Sequence, residues 1–152
     1  MRKKHRIVSR FLFTLYSAFL IYFLIFSDWY GRTGVMQAYH YNLELFREIK
    51  RFWTYREQLG FLVTATNLLG NIFIFVPFGF FMALASKKRS LIVTTFFSCM
   101  LSLTVEIFQL ISRVGSFDVD DLLLNTIGGI LGYVVYIIMD KVRRRHDTTG
   151  KI

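Results

Sequence analysis

The stretch "ISRVGSFDVDDLLLN" (Ile111–Asn125) places four charged residues between two strongly apolar segments. These residues are Arg113, Asp118, Asp120 and Asp121. A charged side chain is costly inside the hydrocarbon of a bilayer, so a cluster of this kind is typical of a connection at a membrane face. The apolar segments on both sides have about the twenty residues that a helix needs to cross the bilayer. The stretch therefore predicts a polar connection between two transmembrane helices.

The composition of the whole chain supports a membrane protein. Of its 152 residues, 54% are hydrophobic and 18% are aromatic, whereas soluble domains are about 45–50% apolar. The net charge of +9 comes from basic residues that flank the apolar segments, which is typical of topology signals rather than of nucleic-acid binding. We expect no nucleic-acid partner. The single cysteine, Cys99, excludes an internal disulfide.

Four apolar segments are predicted to span the membrane, at about 11–26, 60–85, 91–112 and 122–139. A basic start before the first also fits a secretory signal, but no small-residue cleavage site follows it. Between the first two spans, about Tyr41–Gln58 is amphipathic and too charged to cross. We predict a helix on the bilayer surface there; a helix packed on the bundle without lipid contact remains open.

The predicted fold class is an all-α integral membrane protein. It has four transmembrane helices plus an interfacial amphipathic helix in the first outer loop, in one domain over residues 1–152. Lys and Arg residues number thirteen in the N-terminal segment, second loop and tail, against six in the other loops. The positive-inside rule then places both termini in the cytoplasm of a multi-pass cell-membrane protein.

The polar residues of the last three spans concentrate in the halves nearest the outer face. With Arg113, Asp118 and Asp121 of the third loop, they follow helical spacing. Asn67 and Asn71 are i and i+4, Glu106 to Arg113 are i, i+3 and i+7, and Asp118 to Asn125 have the same spacing if the fourth helix begins near Asp118. These candidate site residues are Asn67, Asn71, Glu106, Gln109, Arg113, Asp118, Asp121 and Asn125. Because they share one depth on three helices, we predict a common polar cavity below the outer head groups.

Three interpretations of this cavity remain open. In the first, amide and guanidinium groups bind a phosphate, sugar or peptide group of a ligand. In the second, the protein is an intramembrane enzyme in which Glu106 is a general acid or base, Asp118 and Asp121 hold a hard cation, and Arg113 stabilises negative charge. In the third, the polar groups only fix helix packing, with Asp118 as a helix N-cap.

A conventional metal site is not predicted, and the sequence identifies no cofactor. All three histidines, His5, His40 and His146, lie outside the spans, which argues against a zinc site or a histidine-based triad. The acidic run that begins at Asp118 has no Glu at the twelfth position of a calcium-binding loop.

The strings "NLLGNIFIFVPFG" and "EIFQLISRVGSFDVDDLLLNTIGGILGY" resemble the VanZ-like family of bacterial membrane proteins, over roughly Asn67–Tyr133. The matching residues are Asn67, Asn71, Phe75, Pro77, Gly79, Glu106, Gln109, Arg113, Asp118, Asp121, Asn125 and Gly128. The resemblance implies a link to glycopeptide resistance, especially to teicoplanin-type lipoglycopeptides, or another cell-envelope role. It makes membrane lipids, a lipid-linked wall precursor or a lipoglycopeptide the expected partners.

The topology is testable with a protease tag at each end of the chain. Both tags should resist extracellular protease on intact cells and be cleaved after lysis, because the basic residues favour a cytoplasmic location for both ends. Cleavage of either tag on intact cells would contradict the predicted orientation.

Overall fold

The structure of the protein, a computed structural model, describes residues 3–26, 38–86 and 89–149. Its helices are α1 (Lys3–Phe26), α2 (Arg47–Thr54), α3 (Arg56–Leu59), α4 (Phe61–Ala85), α5 (Leu91–Ser112) and α6 (Val119–Thr149). Its two short strands are β1 (Tyr41–Asn42) and β2 (Phe117–Asp118). Five basic residues that were used to predict the topology lie outside the described residues. These are Arg2, Arg32, Lys87, Lys88 and Lys151.

Within the described residues, four helices are long and apolar enough to cross a membrane. They are α1, α4, α5 and α6, and the predicted all-α membrane fold is confirmed. The third span has the predicted bounds, while α6 begins three residues before the predicted fourth span and continues ten residues beyond it. The chain is therefore a multi-pass membrane protein, in which α6 packs against α4 and α5 while α1 packs mainly against α4.

The prediction of one surface helix over residues 41–58 is wrong in its extent. Tyr41 and Asn42 instead pair in parallel with Phe117 and Asp118 of β2. Phe46 takes a left-handed conformation with φ of 67° directly before α2, and a turn at Tyr55 separates α2 from α3. Helical spacing in the sequence could not show the pairing of β1 with a segment 76 residues away.

Glycines bring the backbones of α4 and α6 into direct contact. A Cβ atom added to Gly132 would lie 2.0 Å from the carbonyl oxygen of Val76, and one on Gly128 would lie 2.2 Å from that of Ile72. Gly79 of α4 is equally close to the Gly129 carbonyl. Small residues allow such close packing, which is a main source of helix association in lipid.

The first helix is attached to this pair by an apolar core and one polar contact. Leu20 and Leu24 of α1 are buried against Phe75 and Phe78 of α4. The Tyr16 hydroxyl donates a hydrogen bond of 2.6 Å to the Ile74 carbonyl. The described part of α1 therefore belongs to the bundle rather than standing apart from it.

We predict that Gly132→Ala lowers the ratio of folded to unfolded protein at least about fivefold, because overpacking costs on the order of 1–3 kcal/mol. Gly70→Ala is the matched control, since nothing lies within 4 Å of its added Cβ. Quantitative immunoblotting of membranes and thermal unfolding in detergent measure the effect. Equal losses in the two variants would contradict the close packing of α4 and α6.

Candidate functional site

A polar cavity of about 210 Å³ lies at the end of the bundle where α4 and α6 begin and α5 ends. Its lining comes from α2, α4, the end of α5, the loop that follows and the start of α6. The lining residues are Glu48, Ile49, Arg51, Phe52, Asn67, Leu68, Asn71, Gln109, Gly115, Ser116, Asp118, Asp120, Asp121 and Leu124. Five of the eight candidate site residues are among them, so the structure brings most of the predicted set together.

Asp118 joins three elements at the floor of the cavity. Its backbone N–H donates to the Glu106 carboxylate at 3.0 Å. Its Oδ1 accepts from the Asn42 side chain at 3.0 Å and from the Asp120 N–H at 2.8 Å. The last contact caps the N-terminus of α6, and Asp is one of the residues favoured at a helix N-cap. One carboxylate thereby fixes the strand pair and the start of α6.

Asp120 performs a similar function for a different helix. Its Oδ2 accepts from the N–H groups of Glu48 and Ile49, at 2.8 and 3.2 Å, and its Oδ1 accepts from the Phe46 N–H. These donors are orphan groups at the N-terminus of α2, and no side chain of α2 itself caps them. The negative charge also suits the positive end of the helix. Asp120 therefore holds α2 against the bundle.

Two amides connect the transmembrane helices around the cavity. Asn71 is buried and donates to the Asp121 carboxylate, which joins α4 to α6. Gln109 donates to the Leu24 carbonyl at 2.8 Å, which joins the end of α5 to α1. Asn67 lies one turn before Asn71 and also lines the cavity.

Three candidate site residues do not line the cavity. Glu106 is buried behind Asp118, and Asn125 is buried one turn below Asp121, where it donates to the Ser102 hydroxyl at 2.8 Å. Arg113 ends α5 in a left-handed conformation, and its guanidinium lies 4.4 Å from the Tyr39 ring centre.

Sequence reasoning missed Glu48 and Arg51 as cavity residues, and it did not assign Asp120 a role in the site. All three line the cavity. The available signal for Glu48 and Arg51 was their place on the charged face of the amphipathic segment, but spacing alone did not show which way that face points. The role of Asp120 depends on a contact between segments more than 70 residues apart.

The cavity is strongly acidic. Among the described residues, four carboxylates and one guanidinium line it. The guanidinium is that of Arg51, which pairs with Glu48 at 2.9 Å. Burial raises the pKa of Asp118 above its ordinary value, although hydrogen bonds from Asp120 and Asn42 oppose this. Burial also raises the pKa of Glu48, against the opposing effect of Arg51. Both residues therefore take up protons at a higher pH than exposed carboxylates do.

Among the described residues, no group of three or more His, Cys, Asp or Glu side chains is arranged to hold a metal ion. The enzyme interpretation expected Asp118 and Asp121 to hold a hard cation. No third His, Cys, Asp or Glu of the described residues completes such a site with them. The carboxylates are instead used in contacts with amide and backbone N–H groups.

These features define a multi-pass membrane protein whose helices enclose an acidic, amide-rich cavity at one end. The VanZ/LLP1 family model matches residues 13–140. The chain is also 31% identical over 136 residues to Protein VanZ of Enterococcus faecium, an alignment that covers 90% of this chain and 78% of that protein. The chain belongs to the VanZ/LLP1 family. No solved structure matches it.

We predict that Asp120→Asn loosens α2 from the bundle, because an amide nitrogen cannot replace a carboxylate oxygen as acceptor. Hydrogen exchange at the amides of Phe46, Glu48 and Ile49 should become about tenfold faster, as expected for a lost helix cap. Glu57→Gln is the control, since the Glu57 side chain is 89% exposed. Unchanged exchange in the Asp120 variant would show that apolar contacts alone hold α2.

Proposed function

We propose that the protein binds the polar end of a membrane-embedded amphiphile in this cavity and thereby contributes to teicoplanin-type glycopeptide resistance or another cell-envelope function. The observation that carries the proposal is the convergence of polar side chains from α2, α4, α5 and α6 on one cavity at the end of the bundle. Membership in the VanZ/LLP1 family supports the connection with resistance.

The size of the cavity limits the part of the ligand that enters. Its volume of about 210 Å³ lies below the roughly 300–1,000 Å³ that encloses a drug-sized molecule. A sugar ring, an amino-acid side chain or a single head group fits, whereas a complete lipoglycopeptide does not. The rest of the ligand would lie in the lipid or in the water outside.

The charge of the cavity limits the chemistry of that group. Four carboxylates repel a phosphate, and Arg51 is already paired with Glu48. Amines and hydroxyls are donors that carboxylate and amide oxygens accept. A lipid-linked wall precursor would therefore bind through its sugar or peptide, and a lipoglycopeptide through an amine- or hydroxyl-bearing group.

Access to the cavity is consistent with an amphiphilic ligand. Large apolar side chains are exposed on the segments around it, including Leu45, Trp53, Leu62 and Ile111. With both termini in the cytoplasm, the cavity would open at the outer leaflet, where lipid-linked precursors and lipoglycopeptides are exposed to the cell exterior.

The binding role is favoured over catalysis by the position of Glu106. This carboxylate is buried, accepts the Asp118 N–H and does not line the cavity. A general acid or base must reach the proton that it transfers. Glu106 is instead placed to position Asp118 and the start of α6.

The first test expresses Asp121→Asn in a susceptible host and measures the inhibitory concentration of teicoplanin. Loss of a charge-assisted contact should weaken ligand binding about tenfold, so protection should fall while the amount of protein in the membrane stays normal. Glu57→Gln is the charge-matched control. Full protection at a normal protein level would contradict the binding proposal, and loss of the protein itself would favour a purely structural network.

A second test separates binding from catalysis at Glu106. The amide oxygen of Glu106→Gln can still accept the Asp118 N–H, but the amide cannot exchange a proton as an acid or base. We expect Glu106→Gln to keep at least about half of the wild-type protection, and Glu106→Leu to lose folded protein because it leaves a buried donor unpaired. Complete loss of protection in a stably expressed Glu106→Gln would support the enzyme instead.

A further inference from the structure

A second recess lies at the opposite end of the bundle, where α4 ends and α6 continues past it. Its volume is about 150 Å³. We call it the basal groove, and it is lined by Phe80, Leu84, Tyr136, Met139, Asp140 and Arg143. Its residues lie near the end of α4 and in the second half of α6, far along both helices from the acidic cavity at their beginnings.

The hydroxyl of Tyr136 has no hydrogen-bond partner within the described part of the chain. The residue is 3% exposed, and its ring packs against the edge of Phe80 and beneath the guanidinium of Arg89, 5.3 Å from the ring centre. Most buried hydroxyls have a hydrogen-bond partner, because an unsatisfied buried donor loses the hydrogen bond that it made to water. The acceptor for this donor therefore does not come from the described residues.

The charges beside this hydroxyl are unequal. The Asp140 carboxylate contacts three guanidinium groups, at 2.9 Å for Arg89, 3.1 Å for Arg143 and 2.9 Å for Arg144. Three guanidinium groups of the described residues therefore share this one carboxylate. The Arg143 side chain is 59% exposed and lines the groove. Some of the N–H donors of its guanidinium can therefore bind a second anion.

We propose that the basal groove binds the phosphate group of an anionic membrane lipid. The phosphate oxygens accept from the Tyr136 hydroxyl and from Arg143, which satisfies the buried donor and places a second anion beside the exposed guanidinium. The side chains of Phe80, Leu84 and Met139 provide an apolar surface for the first part of an acyl chain. Basic pockets between transmembrane helices are known to bind such head groups.

The apolar surface distinguishes a lipid from a free phosphate ion as the source of this group. A free ion would gain nothing from Phe80, Leu84 or Met139, whereas a lipid buries apolar area against them. The site is independent of the acidic cavity, since the two share no lining residue. Its existence therefore does not depend on the proposed function.

The experiment is a titration of the full chain, purified in a neutral detergent, with phosphatidylglycerol, followed by native mass spectrometry. Tyr136→Phe removes only the hydroxyl, and Arg143→Gln removes one guanidinium. Each should weaken binding about tenfold, as expected for a lost hydrogen bond to a charged group. Arg145→Gln is the control for net charge, because Arg145 is on the same helix but does not line the groove; it should change the affinity less than about twofold.

Two further binding measurements identify the source of the phosphate. Phosphatidylcholine, which has no net charge, should bind more weakly than phosphatidylglycerol, and an equal concentration of inorganic phosphate should not displace the lipid. The proposal is overturned if Tyr136→Phe and Arg143→Gln bind as wild type does, or if Arg145→Gln loses as much affinity as Arg143→Gln. Displacement by inorganic phosphate would overturn the assignment to a lipid. Because Arg143 is exposed, its variant remains informative even where Tyr136→Phe fails to fold.

Discussion

The approach of α4 to α6 at van der Waals distance is the constraint on which the rest of the structure depends. The two helices run in the same direction, and the glycines at positions 79, 128 and 132 leave no room for a side chain between their backbones. In lipid, close packing of this kind replaces the hydrophobic effect as the force that associates helices. It also brings Asn71 within hydrogen-bond distance of Asp121. The site therefore follows from the packing, since wider separation would break the contact that closes one side of the cavity.

The polar groups divide into two sets with opposite charge, one at each end of the bundle. The acidic set surrounds the cavity at the beginning of α6, and the basic set surrounds Asp140 near its end. Between them, the buried polar side chains are mostly hydroxyls and amides such as Ser98, Ser102 and Asn125. A neutral middle is what the low dielectric of the bilayer requires, because uncompensated charge there is costly. The two ends of the bundle thus differ in charge within one small protein.

Much of the fold could be predicted from the sequence, because membrane spans depend on length and hydropathy, which are local properties. The polar set could be predicted in part, since a helical repeat shows which side chains share a face. What could not be predicted are the contacts made by irregular backbone. The pairing of Asn42 with Asp118 and the left-handed turn at Phe46 carry no periodic signal. Arg113 matches the helical repeat of Glu106 and Gln109, but α5 ends at Ser112. The repeat therefore does not predict which way the Arg113 side chain points.

The attachment of α2 shows why the acidic loop between α5 and α6 matters beyond its charge. None of the eight residues of α2 is buried, so little apolar area holds this helix to the bundle. Its first turn is instead held by Asp120, through backbone donors that any sequence of α2 would present. Substitutions in the side chains of α2 can therefore leave the helix in its place. Asp118 fixes the strand pair that leads into α2, so Asp118 and Asp120 together determine one side of the cavity. Asp121 also lines the cavity while it accepts the hydrogen bond from Asn71.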